Sequence, residues 1–254
     1  MVENKYPVYI ISKGRAYNPM TAKLFEEAGI DYLIAVEPQE EEEYIKALSK
    51  ERVLVLPFSN LGLGSYPARN FCWEHSIKRN ASRHWLFDDN IIHFRKWVNA
   101  KRQKTEFIID ALKFVENQCQ RADIAGFEEY NFSTRPPKKP FKINVHVYSA
   151  MLIKNSIPYR WRLKYNEDVD LCLQVLHNGG STMSTEYYLI NKVSTSEKMK
   201  GGNQTELYQN NNPKKKLLKA KMLEAVWPQY AKTVIKYNRF HHLVNWKVFQ
   251  KKTK

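Results

Sequence analysis

The chain has 254 residues, 43% of them hydrophobic, and a net charge of +15. This size suffices for one sizeable core, or for one domain with an appended subdomain. No apolar run approaches the roughly 20 residues of a membrane span, and the N-terminus shows no secretory-signal pattern. Three widely separated cysteines, Cys72, Cys119 and Cys172, argue against structural zinc or a disulfide framework and fit a reducing cytoplasm.

Strands and helices alternate in the first half of the chain. Buried strands are predicted at 8–11, 32–36, 53–56 and 84–87, with helices at 19–29, after 40 and at 68–80. Such alternation implies a parallel sheet covered by helices on both faces. Ligands of these sheets bind at the carboxyl ends of the strands. The candidate site residues therefore follow the strands, at 12–15, Glu37, 60–70 and 88–90.

The second half is predicted to be more mixed. The pattern predicts a helix at 105–120, a short strand at 124–127, a long antiparallel strand at 142–154, a helix from 166 or 167 to about 178, and a last strand at 187–190. Residues 198–212, rich in Gly, Asn and Gln, are predicted to form a mobile loop before a helical, lysine-rich end. We therefore expect one main domain over 1–200, with the loop and basic helical extension of 201–254 packed on it.

The positive charge is concentrated at the C-terminus. Residues 214–254 contain 12 Lys or Arg and one acid, Glu224, so this segment carries +11 and the other 213 residues carry +4. A polyanion such as nucleic acid would bind such a segment, because cationic side chains neutralise phosphates and release counterions. A solvated, lysine-rich helical tail is the alternative.

Two carboxylates and an amide follow the fourth predicted strand, as Asp88, Asp89 and Asn90. Unpaired buried charge is costly, and a divalent cation is one partner that would neutralise it. Side chains two residues apart in a strand point the same way. Asp88 and Asn90 could therefore bind one Mg²⁺ or Mn²⁺, while Asp89 faces elsewhere, toward a sugar hydroxyl. An Asx-rich turn that ends the strand is the alternative.

A glycine-containing segment, 61–70, joins the third predicted strand to the next helix. Glycines let the backbone approach a ligand closely, and helix N-termini attract phosphate, although a flexible connector explains the pattern equally well. Arg69 and Asn70, at the helix start, could contact a diphosphate or a ribose. Lys13 and Arg15 could do the same after the first strand, with ordinary solvated charge as the alternative.

A second acidic cluster, Glu167, Asp168 and Asp170, begins the helix predicted near residue 166. Compensation of the helix dipole explains one such acid easily. A general base that removes a proton from an acceptor hydroxyl is the functional alternative. Three acids within four residues are harder to explain by capping alone.

Together these segments resemble a GT-A glycosyltransferase and, more narrowly, the TET-associated group of phage DNA glycosyltransferases. The resemblance rests on residues 9–15, 62–70, 87–90 and 166–168, and covers about residues 6–195. It implies an α/β fold with a GT-A (Rossmann-like, nucleotide-sugar-binding) mixed sheet and helices on both faces. It also implies transfer of a hexose from a UDP-sugar to 5-hydroxymethylcytosine in DNA, with inversion, in the cytoplasm of a phage-infected bacterium.

The resemblance implies a metal site with one departure from the family pattern. The 88–90 segment matches the DxD motif, and Asn90 replaces its usual last acid. Either the Mg²⁺ or Mn²⁺ is held through Asn90 and the UDP diphosphate, or metal dependence is weak. GT-A enzymes often add a C-terminal His ligand, but no position matches it clearly, and His146, His241 and His242 are each expected to be structural or exposed.

The resemblance also implies roles for residues around the donor and acceptor. The Glu167–Asp168 pair matches the acidic pair that includes the base of inverting members, with Asp168 favoured and Glu167 as the alternative. Residues 198–212 could close over the donor as a lid. The matching positions that usually line the uridine are Ser12, Arg15 and Glu37, and the one that usually faces the nucleotide is Arg69.

Other function classes remain open beside a DNA glycosyltransferase. A GT-A enzyme that acts on a glycan, a protein or a small molecule would share every catalytic feature, and the +11 segment favours DNA over a neutral glycan. Nucleotidyl transfer uses a similar sheet and metal but usually needs a stronger glycine-rich loop. A non-catalytic DNA-binding protein is disfavoured, because acidic clusters at strand and helix ends would repel DNA.

Overall fold

The computed structural model describes residues 4–193, 201–202 and 213–250. Within these ranges the helices are α1 (Met20–Glu27), α2 (Glu41–Ala47), α3 (Tyr66–Lys78), α4 (Ile108–Glu116), α5 (Glu167–His177) and α6 (Pro213–Val226). The strands are β1 (Val8–Ile11), β2 (Leu33–Val36), β3 (Val53–Val55), β4 (Arg83–Asp88), β5 (Ile91–Val98), β6 (Lys101–Thr105), β7 (Ile124–Glu129), β8 (Phe141–Ile143), β9 (Ala150–Lys154), β10 (Thr182–Lys192), β11 (Ala231–Lys236) and β12 (Arg239–Val244).

Ten of these strands form one mixed sheet in the described part of the chain. Its order is β3-β2-β1-β4-β9-β7-β10-β5-β6, and β8 pairs with β10. The first four strands of this order are parallel, as the alternating first half predicts. Beyond β4 the sheet becomes mixed, because β9 runs antiparallel to both β4 and β7, while β7 and β10 are parallel. The predicted α/β mixed sheet is confirmed.

Helices cover both faces of the sheet, and each face has its own hydrophobic cluster. Alternate residues of one strand point to opposite faces, so Ile10 of β1 joins the cluster that includes α1 and α4. Its neighbour Tyr9 joins the cluster that includes α3 and α5. Burial of large aromatic side chains on both faces, such as Trp85 and Trp73, fixes the sheet between its helical layers.

In the middle of the chain, one sequence prediction was wrong and one hairpin was missed. The expected strand at 142–154 is two strands, β8 and β9, because Asn144 and Ser149 adopt left-handed backbone conformations, with φ of 56° and 61°. The β5–β6 hairpin was not predicted. Its turn at Asn99 and Ala100 carries no glycine, although both residues have positive φ, and β6 is a polar edge strand without an apolar alternation.

The basic C-terminal region is only partly helical, so its prediction as a helical extension was wrong beyond α6. A β11–β12 hairpin follows α6, and its strands pair from Ala231 opposite Val244 to Lys236 opposite Arg239. Leu223 of α6 packs in a third cluster with α5 residues. No helix of the described residues is long and apolar enough to cross a membrane.

Candidate active site

A cavity of about 620 Å³ lies at the carboxyl ends of the parallel strands. The loop after β1, the acid after β2 and the turn after β4 form one side of it. The first turn of α5 and two residues of the C-terminal region, Lys219 and His242, also line it. The cavity brings together almost every predicted site residue: Ser12, Lys13, Arg15, Glu37, Arg69, Asp88, Asp89, Asn90, Glu167 and Asp168.

Asn70 is the predicted site residue that does not line this cavity. Its side-chain Nδ2 donates to the carbonyl oxygen of Trp161 at 2.8 Å, and its Oδ1 accepts from the Trp161 amide at 3.1 Å. The side-chain nitrogen and oxygen of Asn70 are therefore both hydrogen-bonded to the backbone of Trp161. The residue fastens the segment before α5 to α3 and is not free to contact a diphosphate or a ribose.

Glu37 anchors the loops on the β1–β2 side of the cavity. Its Oε1 accepts from Lys13 Nζ at 2.8 Å, and its Oε2 accepts from Gln39 Nε2 at 2.6 Å and from the Asn60 amide at 3.0 Å. Burial alone would raise the pKa of Glu37, but the hydrogen bonds from Lys13, Asn60 and Gln39 lower it below its ordinary value. The carboxylate is consequently held as an anion in a fixed orientation.

Asp89 links the turn after β4 to the loop after β1. Its two oxygens accept from Arg15 Nη1 and Ser12 Oγ, and all three residues are buried. Burial raises the pKa of Asp89, and the Arg15 guanidinium and the Ser12 hydroxyl oppose that increase. These two hydrogen bonds hold Asp89 beside Arg15 at the wall of the cavity, and its orientation toward a sugar hydroxyl stays a prediction.

Arg69 joins the two acidic motifs. Its Nη2 lies 2.9 Å from Asp88 Oδ1 and 3.3 Å from Glu167 Oε1, and its Nε donates to Ser65 Oγ at 3.1 Å. Burial would lower the pKa of Arg69, but Asp88 and Glu167 raise it above its ordinary value. The Arg69 guanidinium also lies 4.8 Å from the ring centre of Trp161. One buried cation therefore sets the spacing between the β4 turn and the start of α5.

The three acids at the start of α5 have separate partners. Glu167 accepts from Ser65 and pairs with Arg69, and burial raises its pKa against the opposing effect of Arg69. Asp170 is fully buried and accepts from Trp227 Nε1 at 2.7 Å and from Arg162. The cluster is thus more than a helix cap, because Glu167 and Asp170 each connect α5 to other parts of the fold.

Asp168 faces an aromatic-flanked histidine. His146 Nε2 lies 3.2 Å from Asp168 Oδ2, and the His146 ring stacks between Tyr148 and Trp246 at centroid distances of 4.7 and 5.6 Å. Burial alone would raise the pKa of Asp168, but His146 and the amide of Val169 lower it well below its usual range. Asp168 is an ionised carboxylate that opens onto the cavity.

Sequence reasoning did not assign several cavity residues that the fold brings in from distant positions. His146, Lys192 and His242 come from segments with no recognisable motif, and only the register of β10 and β12 places the last two. Lys192 Nζ donates to Ser149 Oγ at 2.7 Å. Burial lowers the pKa of His242 to about 4, and Lys219 adds to that effect.

The described residues fit a divalent cation only together with a bound ligand. They contain no group of three or more His, Cys, Asp or Glu side chains placed to hold a metal ion. Asp88 Oδ1 accepts a hydrogen bond from Arg69 Nη2. Asn90 Oδ1 is buried without a hydrogen-bond partner among the described residues. Mg²⁺ commonly takes one or two protein oxygens and completes its shell with phosphates and water. Asp88 and Asn90 suit that mode, although β4 ends at Asp88, so turn geometry and not strand alternation places Asn90.

Gly201 and Gly202 contact the loop after β1. The Gly202 amide donates to the Lys13 carbonyl at 2.8 Å, and Arg15 Nη2 donates to the Gly201 carbonyl at 3.2 Å. A Cβ on Gly201 would lie 2.6 Å from the carbonyl oxygens of Lys13 and Gly14, so glycine is required there. The rest of the predicted lid at 198–212 lies outside the described residues.

Gly64 permits an equally close approach on the other side of the cavity. It has a φ of +77°, and a Cβ there would collide with the carbonyl of Lys164. The predicted glycine-containing segment therefore packs its backbone against the segment that leads into α5 and forms part of the cavity wall.

A family model described as TET-associated glycosyltransferase matches residues 6–202. The chain belongs to the TET-associated glycosyltransferase family. The predicted family and the predicted glycosyltransferase class are thereby confirmed. A structural comparison found a candidate nucleotide-diphospho-sugar transferase from Desulfovibrio desulfuricans G20, with 10% identity and a TM-score of 0.44, covering 89% of this chain and 98% of that protein. No curated protein sequence matches the chain.

Proposed function

We propose that this glycosyltransferase moves a hexose from a UDP-sugar to the hydroxymethyl group of 5-hydroxymethylcytosine in DNA, with inversion at the anomeric carbon. The observation that carries the proposal is the arrangement of one cavity. Cationic and amide groups at the strand ends line it together with a carboxylate, Asp168, at the start of α5 whose pKa lies well below its usual range. The same cavity can therefore hold a donor diphosphate and an acceptor hydroxyl around one sugar.

The strand-end side suits a nucleoside diphosphate. Glu37 is ionised and rigidly held, which suits recognition of hydroxyl or imide N–H donors of a uridine. Lys13, Arg15 and Lys192 line the same cavity and supply positive charge for phosphates. When a Mg²⁺ or Mn²⁺ is bound through Asp88 and the diphosphate, it stabilises the negative charge of the departing UDP.

Asp168 is the proposed general base. It accepts the proton of the acceptor hydroxyl while that oxygen forms a bond to the anomeric carbon. The bond from that carbon to the diphosphate oxygen breaks, and its electron pair leaves with UDP. Glu167 is the less suitable base because Arg69 and Ser65 already bind its carboxylate. In the proposed reaction the base and the leaving group are assigned to opposite faces of the sugar, and displacement from opposite faces inverts the anomeric configuration.

DNA is the proposed acceptor because the cavity opens beside the most basic part of the chain. Residues 214–254 carry a net +11, and Lys219 and His242 of that region line the cavity. A neutral glycan or a small-molecule acceptor would gain nothing from this charge, whereas DNA phosphates would. The family's association with DNA glycosylation agrees with this choice.

A donor and acceptor panel tests the proposal. The wild-type enzyme is incubated with several UDP-sugars and with 5-hydroxymethylcytosine DNA, ordinary DNA or no DNA, in Mn²⁺ or in EDTA. The expected result is UDP release with Mn²⁺ and a hexose-sized mass gain on the modified nucleoside, which Asp168→Asn abolishes. UDP release that is independent of DNA would assign another acceptor, and full activity in EDTA would refute the metal role of Asp88 and Asn90.

A further inference from the structure

The tip of the β11–β12 hairpin carries a tyrosine in an unusual conformation. Tyr237 and Asn238 connect the two strands, with φ of 51° and 56°. Two-residue turns with positive φ at both positions favour Asn and Gly, and a bulky side chain is strained there. Tyr237 is nevertheless 93% exposed, so no packing contact within the described part of the chain explains why a tyrosine occupies this position. Strain at an exposed position without a packing role indicates a function outside the fold.

The residues next to Tyr237 suit contact with a partner that combines negative charge with aromatic rings. Lys236 and Arg239 are exposed and paired across the strands directly below the turn. On the opposite face, Ile235 is 67% exposed and pairs with Phe240. The hairpin end therefore presents an aromatic ring at its tip, cations on one face and apolar side chains on the other. Duplex DNA combines phosphates with stacked bases in this way.

The hairpin also connects this tip to the cavity. His242 lines the cavity and pairs with Thr233. Tyr237 lies four positions after Thr233, which at a strand rise of about 3.3 Å per residue places the tip roughly 13 Å from the cavity wall. His242 and Phe240 lie on the same face because they are two residues apart. The apolar face of the hairpin end thus continues to the wall of the cavity that Asp168 also lines.

We propose that the β11–β12 hairpin enters duplex DNA and that Tyr237 is inserted into the base stack when the modified cytosine turns out toward Asp168. This inference rests on the proposed DNA acceptor. The hydroxymethyl group of a stacked cytosine projects into the major groove. The base must leave the stack for that group to enter the cavity beside Asp168, and its extrusion leaves a gap in the duplex. The Tyr237 ring fills that gap and stacks on the neighbouring bases, while Lys236 and Arg239 contact phosphates. α6 packs against both strands and holds the hairpin in place.

The substitution Tyr237→Asn tests this role without endangering the fold, because Asn is favoured in this turn. We measure kcat/KM with 5-hydroxymethylcytosine in duplex DNA, in single-stranded DNA and as the free nucleoside. Loss of the ring is expected to lower the value for duplex about 10- to 100-fold. The value for single strands is expected to fall less, and that for the nucleoside is expected to stay unchanged. The matched control is Phe107→Asn, which removes an aromatic ring that is 72% exposed at the start of α4.

Two results would overturn the proposal: an unchanged value for duplex DNA, or an equal loss with the nucleoside, which would place Tyr237 in the cavity chemistry. If the wild-type enzyme modifies no DNA, the proposed function fails, but the hairpin is still testable. A 2-aminopurine base in ordinary duplex DNA becomes more fluorescent when it is unstacked. A rise with wild-type protein that Tyr237→Asn abolishes would support insertion, and no rise with wild-type protein would refute it.

Discussion

Replacement of Arg69 by Met gives the sharpest test of how the two acidic motifs are held together. Met keeps much of the side-chain length but removes the charge, so Asp88 and Glu167 would face each other without a cation. Loss of one partner from a buried ion pair costs about 3–5 kcal/mol. The Glu167 side chain is only 10% exposed, while that of Asp88 is 25% exposed and is partly hydrated. We therefore expect Arg69→Met to lower the free energy of unfolding by about 4 kcal/mol.

The loss should also depend on pH, because Glu167 could escape the penalty by binding a proton. Glu167 already has a raised pKa in the folded state, so the folded protein keeps that proton where the unfolded chain releases it. Removal of Arg69 raises this pKa further. Such a group destabilises the fold as pH rises above its unfolded pKa of about 4.3, so the difference between wild type and variant should grow as pH rises from that value.

Urea unfolding, extrapolated linearly to water at each pH, measures this difference. The matched control is Arg52→Met, which removes the partner of Asp31. The Asp31 side chain is 59% exposed, and such surface pairs contribute about 0–1 kcal/mol. If Arg69→Met costs no more than Arg52→Met, or if its cost is the same at every pH, the bridging role assigned to Arg69 is refuted.

Four further substitutions, with Gly62→Ala as the control for the last of them, separate catalysis, donor binding and backbone fit. Asp168→Asn should lower kcat about 10²- to 10⁴-fold with little change in donor KM. Glu167→Gln should lower the melting temperature and leave kcat nearly unchanged. Steady-state kinetics and thermal melts distinguish the two variants, and the reverse pattern would make Glu167 the base. Glu37→Gln should raise donor KM about tenfold through weaker charge-assisted hydrogen bonds, and an unchanged KM would remove Glu37 from the donor site. Gly64→Ala should destabilise the fold by more than the roughly 1 kcal/mol expected for Gly62→Ala in the same backbone region. Only the former Cβ meets a backbone carbonyl, so equal melting temperatures would contradict the close packing.

The first half of the fold was predictable because its local signals agree with one another. The run at 8–11 is continuously apolar, and β1 has the same bounds, Val8–Ile11, with all four residues buried. Elements whose turns lack glycine could not be found in this way. The turns at Asn99–Ala100 and Tyr237–Asn238 each contain one Asn but no glycine, and Ala100 and Tyr237 have positive φ against their preference, so hairpin pairing and tertiary contacts override local preference there.

The site was predictable where one strand end supplies several groups and was missed where distant segments converge. Asp88 and Asp89 are adjacent in sequence, and both line the cavity. Their roles still depend on partners that are distant in sequence. Arg69 donates a hydrogen bond to Asp88, and Arg15 donates one to Asp89. The partner of Asp168 was missed for the same reason, because His146 is distant in sequence and only the fold brings it beside Asp168.

The C-terminal region shows why net charge alone is an incomplete guide to role. Its net charge predicts contact with a polyanion such as DNA, but the region also has a packing role, because Leu223 and Trp227 are buried in the cluster that includes α5. The Lys219 carbonyl accepts a hydrogen bond from Asn166 at 2.9 Å, immediately before α5 begins. The region thus fixes the helical turn that carries Asp168. Its deletion would disturb the proposed base together with DNA binding, so a truncated enzyme cannot separate the two functions. Substitutions at the exposed hairpin tip can do so, because they leave the packing on α5 intact.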